Sequence, residues 1–97
     1  MRFQIVFTPR AEADLSYYKV YEQRVILDAI KLHLETEPLV ESQRRKRLGE
    51  NLLAPWELRV GDHRVFYTVE EVAMVTIARI GHKEHNDLII RGKKVEL

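Results

Sequence analysis

The sequence predicts an α+β fold: an N-terminal strand, a helix hairpin, and then an antiparallel sheet of three or more strands. Three observations carry this. Helical three- and four-residue spacing of apolar side chains is confined to the first third of the chain. Two alternating, β-rich runs flank Gly61-Asp62. The strands after that turn follow one another without intervening helices, which favours hairpins over parallel crossovers.

Arg2 to Phe7 reads as the first strand, with Phe3, Ile5 and Phe7 alternating against Gln4 and Val6. Thr8-Pro9 starts a helix. Thr can accept from the free N–H groups, and Pro fits the first helical position because its missing N–H has no partner there anyway. Glu12 and Asp14 fall in the first turns, where the helix dipole favours negative charge. Ala11, Leu15 and Tyr18 share a stripe, and this helix is expected to end near Val20. A second helix is expected from Glu22 to Glu35. Ile26, Ala29, Ile30, His33 and Leu34 form its apolar face, with His33 read as a packed core histidine. Pro38 ends it.

Residues 41–55 show no clear period and read as a basic connector with room for one helical turn. Trp56–Val60 and His63–Val69 form a hairpin about Gly61-Asp62, where Gly supplies the positive φ of the first turn position. A two-residue loop sets Val60 against His63, Arg59 against Arg64, Leu58 against Val65 and Trp56 against Tyr67. One face is then Trp56, Leu58, Val60, Val65, Tyr67 and Val69, which should pack on the helices. The other carries Glu57, Arg59, Arg64, Phe66 and Thr68. Two arginines directly opposite repel by roughly a few tenths of a kcal/mol to 1 kcal/mol. Either an anion shares them, or a carboxylate such as Glu57 neutralises them. A third strand, Val72–Ile80, follows the turn Glu70-Glu71. Leu88–Ile90, Arg91-Gly92 and Lys93–Leu97 suggest a terminal hairpin.

The chain has 97 residues, 45% hydrophobic and 32% charged. That suits one domain over 1–97 with one core. No apolar run nears the roughly 20 residues that span a bilayer, and Met1–Thr8 is too short for a signal peptide. With no cysteine there is no disulfide, thiolate metal site or cysteine nucleophile, which fits a reducing cytoplasm. The net charge of +1 hides an asymmetry. Residues 1–42 hold five Lys/Arg against seven Asp/Glu, and residues 43–97 hold eleven against eight, with three of the four His. Any polyanion contact is expected in the second half.

Within that half, Arg44, Arg45, Lys46 and Arg47 form a charge run that serves either as a solvated stretch or as a phosphate-steering patch. His82, Lys83 and His85 cluster after the third strand. Two His three apart lack the further ligands a metal site needs, so no metal or other cofactor is expected. Trp56 reads as packing rather than as a base-stacking platform.

Leu52–Val69, LLAPWELRVGDHRVFYTV, followed by Val75–Ile80 and Gly81-His82-Lys83-Glu84, resembles the sheet of RelE/ParE superfamily toxins. The N-terminal strand, Thr-Pro and helix pair agree, so the resemblance covers nearly the whole chain. It implies the toxin of a type II toxin–antitoxin system, bound by a cognate antitoxin in a hetero-oligomer. Members of the RelE branch cut mRNA on the ribosome without a metal, which implies an endoribonuclease that inhibits translation. Arg64 matches the family's hairpin arginine and would stabilise the phosphorane. Arg59 matches a neighbouring basic position, and Lys83 the basic residue after the third strand. Pro55 and Glu57 stand where catalytic members keep basic residues, and Ile89 where many keep Tyr. In their place Glu57 is a candidate base, and His82 or His85 a candidate acid. Arg44, Arg45, Lys46, Arg47, His63 and His82 are expected to contact RNA. Replacing Arg64 with Ala is expected to leave the fold nearly intact. The departures keep two alternatives open: a non-catalytic, ParE-like inhibitor of DNA gyrase, and an inactive toxin-fold protein that only pairs with an antitoxin.

Overall fold

The computed structural model describes residues 2–97. In chain order its elements are β1 (Gln4–Phe7), α1 (Pro9–Ser16), α2 (Val20–Leu34), β2 (Arg45–Arg47), β3 (Trp56–Val60), β4 (His63–Glu70), β5 (Met74–Glu84), β6 (Asp87–Ile90) and β7 (Lys93–Val95). The strands form one sheet in the order β2-β3-β4-β5-β6-β7, and β1 also pairs with β5. The expected α+β architecture is present.

The helix boundaries differ from the sequence reading. Thr8 caps α1 as expected, accepting from Ala11 N–H at 3.0 Å. However, α1 stops at Ser16 and α2 begins at Val20. Glu22 explains the shift. Its carboxylate accepts from Lys19 N–H at 3.1 Å, so the first turn of α2 is capped before the point where the apolar period becomes visible.

The hairpin register is the expected one. Trp56 lies opposite Tyr67, Leu58 opposite Val65, and Arg59 opposite Arg64. Trp56, Leu58, Val60, Val65 and Tyr67 join Ala11, Tyr18, Ile26, Ile30 and Leu34 in the main core. Trp56 and Tyr67 stack at 5.9 Å. The Tyr67 hydroxyl donates to Pro38 O at 2.7 Å, which ties the segment after α2 to the sheet. The opposite face of the sheet is not wholly solvated. Phe66 is fully buried there with Ala54, Leu88 and Ile90.

Three features lay outside the sequence reading. The connector has no helical turn; it contains β2, an edge strand on β3. β1 pairs in parallel with Met74–Ile77 of β5, while β6 takes His82–Glu84 on that same edge. The β5 edge at Ala78–Ile80 is left between them, and α1 fills the gap. Thr8 N–H donates to Ile77 O at 3.0 Å, Thr8 Oγ1 donates to Ala78 O at 2.9 Å, and Asp14 accepts from Ile80 N–H at 3.0 Å. Third, the register between β4 and β5 shifts after Phe66. Phe66 faces Arg79 but Tyr67 faces Ile77, so Ala78 is the extra residue of a bulge that bends β5 and re-aims Arg79. A close approach follows. A Cβ on Gly81 would lie 2.6 Å from Ile89 O and 2.8 Å from Ile90 Cγ1, so only Gly lets β6 fold over β5.

Candidate nucleic-acid interface

Strand alternation splits the basic run in two. Arg45 and Arg47 face Leu58 and Trp56 across β2–β3 and so point to the helix side. Arg45 is 8% exposed; its Nε donates to Val40 O at 2.7 Å, and its Nη1 lies 3.3 Å from His33 Nδ1. It is a buried clamp between β2 and α2, not part of the open surface. Arg47 lays its guanidinium over the Trp56 ring at 5.6 Å. Lys46 pairs with Glu57 on the other face. Arg59 N–H donates to Arg44 O at 2.7 Å, which extends the register by one step. Arg44, the residue before β2, therefore forms a row with Arg59 of β3 and Arg64 of β4, on the side away from the helices.

Glu57 organises that row. Its side chain is 4% exposed, with Oε2 2.9 Å from Arg59 Nε and Oε1 3.9 Å from Arg64 Nε. The two opposed arginines thus share one buried carboxylate. Burial of a charge is tolerable only when it is paired, and Glu57 lies between two guanidinium groups. Arg64 is also tied down: its Nη1 donates to Gly61 O at 2.8 Å and to His63 O at 3.0 Å. Its side chain is only 14% exposed, against 46% for Arg59. Within this row Arg59 and Arg44 are exposed to solvent and ligands.

Around the hairpin turn lies a cleft of about 530 Å³, lined by Tyr17, Tyr18, Lys19, Glu22, Asp62, His63, His82, Lys83 and Glu84. His63 and His82 are cross-strand partners whose rings both meet Tyr18 edge-on, at 5.0 and 5.6 Å. The Tyr18 hydroxyl is 2.7 Å from His82 Nδ1, and His82 Nε2 is 2.6 Å from Glu84 Oε2. Burial, with Asp14 and Glu22 nearby, pushes the Tyr18 phenol up from its ordinary value. The hydroxyl therefore keeps its proton; in the tautomer where it donates to Nδ1, the other ring nitrogen, Nε2, carries its proton toward Glu84. Both ring nitrogens of His82 are occupied, so it acts as a link in a Tyr–His–Glu chain rather than as an open RNA contact. His85 is exposed on the β5–β6 turn at φ 51, beside Asn86 at φ 74, and Lys83 Nζ reaches Asn86 O at 3.4 Å. Among the described residues no group of three or more His, Cys, Asp and Glu could hold a metal ion. Nor is any described helix long and apolar enough to cross a membrane.

The sequence reading missed Asp14. It is fully buried, and Arg79 grips it through Nε at 2.7 Å and Nη2 at 3.1 Å. Arg91 Nε lies 2.9 Å from Oδ1, the oxygen that Arg79 Nη2 also contacts. At sequence level Asp14 looks like an ordinary acid near a helix start. Its two partners are 65 and 77 positions away, and nothing local announces them.

The family model for the ParE toxin of type II toxin–antitoxin systems, parDE, matches residues 5–87. Among curated proteins none matches the chain. Among solved structures the chain resembles the toxin–antitoxin complex RelBE2 of Mycobacterium tuberculosis, at 24% identity and a TM-score of 0.71, over 86% of this chain and 100% of that one. It also resembles the archaeal RelE–RelB complex of Pyrococcus horikoshii OT3, at 22% identity and a TM-score of 0.69, over 88% and 99%. A third likeness is to the heterotetrameric YoeB–YefM toxin–antitoxin complex of Staphylococcus aureus, at 25% identity and a TM-score of 0.55, over 88% and 99%. The first two likenesses speak to the fold alone.

Proposed function

The chain belongs to the ParE toxin family of type II toxin–antitoxin systems, and from that premise we propose that it is a single toxin domain over 1–97 that acts in the cytoplasm as a metal-free, ribosome-dependent mRNA endoribonuclease. The observation that carries this reading is the row of Arg44, just before β2, Arg59 of β3 and Arg64 of β4, with Glu57 buried beneath as its internal counter-ion. Preorganised cations of this kind stabilise the charge that grows on a phosphate in the transition state.

In such a reaction the 2′-OH attacks phosphorus and loses its proton. The bond from phosphorus to the 5′-oxygen breaks, and that oxygen gains a proton. The products are a 2′,3′-cyclic phosphate and a 5′-OH. Arg59, the accessible guanidinium, binds the scissile phosphate. Arg64 and Glu57 hold Arg59 in place, so Glu57 is a positioning residue. Lys83 flanks the phosphate, and exposed His85 serves as the acid. The YoeB–YefM toxin–antitoxin complex of Staphylococcus aureus among the solved neighbours supports a cognate antitoxin and a hetero-oligomer for this chain as well.

One observation favours a second reading. With both Glu57 oxygens directed at guanidinium groups, the 2′-OH has no evident base, and Ile89 offers none. A non-catalytic inhibitor of DNA gyrase needs no base. The test is purified protein incubated with mRNA-programmed ribosomes in EDTA, with end-group analysis, beside a gyrase supercoiling assay. Cleavage with cyclic or 3′-phosphate ends is expected. Intact mRNA together with blocked supercoiling would replace the nuclease by the gyrase inhibitor.

A further inference from the structure

A second cationic site lies apart from the arginine row. A cleft of about 510 Å³ is lined by Arg79, Ile90, Arg91, Lys93, Lys94 and Val95, between β5 and the β6–β7 hairpin. Three independent features build it. The bulge at Ala78 re-aims Arg79. Asp14, with no exposed surface, holds the Arg79 guanidinium by Nε and Nη2, 2.7 and 3.1 Å away, and forms an ion pair with Arg91 Nε at 2.9 Å. Arg91 also adopts φ 47, a left-handed conformation that costs a non-glycine residue energy, with Gly92 following at φ 78. A strained turn is thus retained where it delivers an arginine to a buried carboxylate.

The arrangement is incompletely neutralised. Arg79, Arg91, Lys93 and Lys94 face the single buried charge of Asp14. The other carboxylates near them, Asp87 and Glu96, approach only Lys94, at 3.5 and 3.9 Å on the surface, where such pairs contribute little. Each guanidinium presents five N–H donors, and Asp14 takes only the Nε side. The remaining donors of Arg79 are fixed in direction before any ligand arrives, and the Arg91 guanidinium is drawn beside them by the shared carboxylate. One oriented fork, a second guanidinium beside it and an exposed lysine suit the several oxygens of a phosphate better than the two coplanar oxygens of a carboxylate. Arg79 also joins this cleft to the arginine row, since it stands opposite Phe66, two residues along β4 from Arg64.

We propose that this cleft is a second phosphate-binding site, holding a backbone phosphate of single-stranded RNA beyond the arginine row. The phosphate site stands on the geometry of Asp14, Arg79 and Arg91; its assignment to RNA rests on the proposed RNA target.

The test is an NMR titration that follows the arginine Nε–H signals of the full chain with three probes. These are inorganic phosphate, a short single-stranded RNA, and an acidic glutamate-rich peptide. Phosphate and RNA are expected to move the Arg79 and Arg91 signals together. Lys93→Ala, a change at an exposed side chain, is expected to weaken both several-fold, and Arg91→Lys more strongly, because a lysine cannot reproduce the fork. No movement with phosphate at tens of millimolar, or equal affinity for the acidic peptide, overturns the phosphate site. Movement with phosphate but not with RNA overturns the RNA assignment and leaves a site for free phosphate species. Failure of the nuclease reading alone, with intact mRNA on the ribosome, leaves the phosphate titration unchanged.

Discussion

Replacing Asp14 with Asn removes one charge while keeping size and one acceptor oxygen. Asp14 is fully buried; it accepts two hydrogen bonds from Arg79 and one from the Ile80 amide, and forms an ion pair with Arg91 at 2.9 Å. Breaking a buried pair by removing one partner costs about 3–5 kcal/mol. That figure needs a discount here, because the Arg79 and Arg91 side chains are 19% and 45% exposed and can partly rehydrate. The Asn oxygen can still accept from Ile80. A loss of about 3 kcal/mol is expected, which for a chain of this length lowers the melting temperature by roughly 12–24 °C. Asp14→Ala also strands the Ile80 N–H on the open β5 edge, adding about 1–3 kcal/mol. Thermal melts followed by circular dichroism on the two variants check this, with Ala below Asn below the parent. Both variants melting within about 2 °C of the parent would refute the role of Asp14 as the anchor of α1, β5 and the terminal hairpin.

Further outcomes follow from other contacts. Gly81→Ala should cost about 2–3 kcal/mol, since the added methyl meets a backbone oxygen that cannot move without lifting β6; hydrogen exchange should show β6 amides losing protection before those of β3 and β4. Arg64→Ala should lower stability by about 1 kcal/mol through loss of its bonds to Gly61 O and His63 O. Sequence alone led to the opposite expectation, a nearly unchanged fold, and the two are separated by a melt. His33 lies against Arg45 and Arg44, and burial together with these cations lowers its pKa from the usual 6.5. The unfolded chain then binds a proton more readily than the folded one. The contribution of neutral His33 is therefore full above about pH 6.5 and is lost as pH falls below it. His33→Gln should flatten that part of the stability–pH curve, and an unchanged slope would remove His33 as its source.

The parts of the fold legible in the sequence are those set by local pattern. The Thr8-Pro9 cap, the Gly61-Asp62 turn and the alternation around it fix α1 and the β3–β4 register, including the Arg59–Arg64 pair. What was illegible depends on distant partners. β2 is three charged residues, and its alternation acquires meaning only once β3 supplies an inner and an outer face; hence Arg45 reads as surface and is in fact buried. The β1–β5 pairing is parallel and joins residues some 70 positions apart, beyond the reach of any turn signal. Phe66 alternates with the exposed side of β4, yet Leu88 and Ile90 fold over it. In the site, the opposed arginines and their neutralising carboxylate were both visible as alternatives. That Glu57 serves the two arginines, leaving Arg59 as the accessible one, required the side-chain geometry.

The central claim is that the cation row binds RNA, and the salt dependence of RNA affinity for Arg59→Ala tests it most directly. Arg59 Nε is 2.9 Å from the buried Glu57 carboxylate, so its loss should cost about 1–3 kcal/mol and lower the melting temperature by roughly 4–24 °C, and binding is measured at a temperature where the variant stays folded. Each phosphate contact to a single strand contributes about 0.7 to the slope of log affinity against log salt. The variant should bind single-stranded RNA more weakly, with a slope shallower by about 0.7. A folded Arg59→Ala protein with the parent's affinity and the parent's slope would contradict the account.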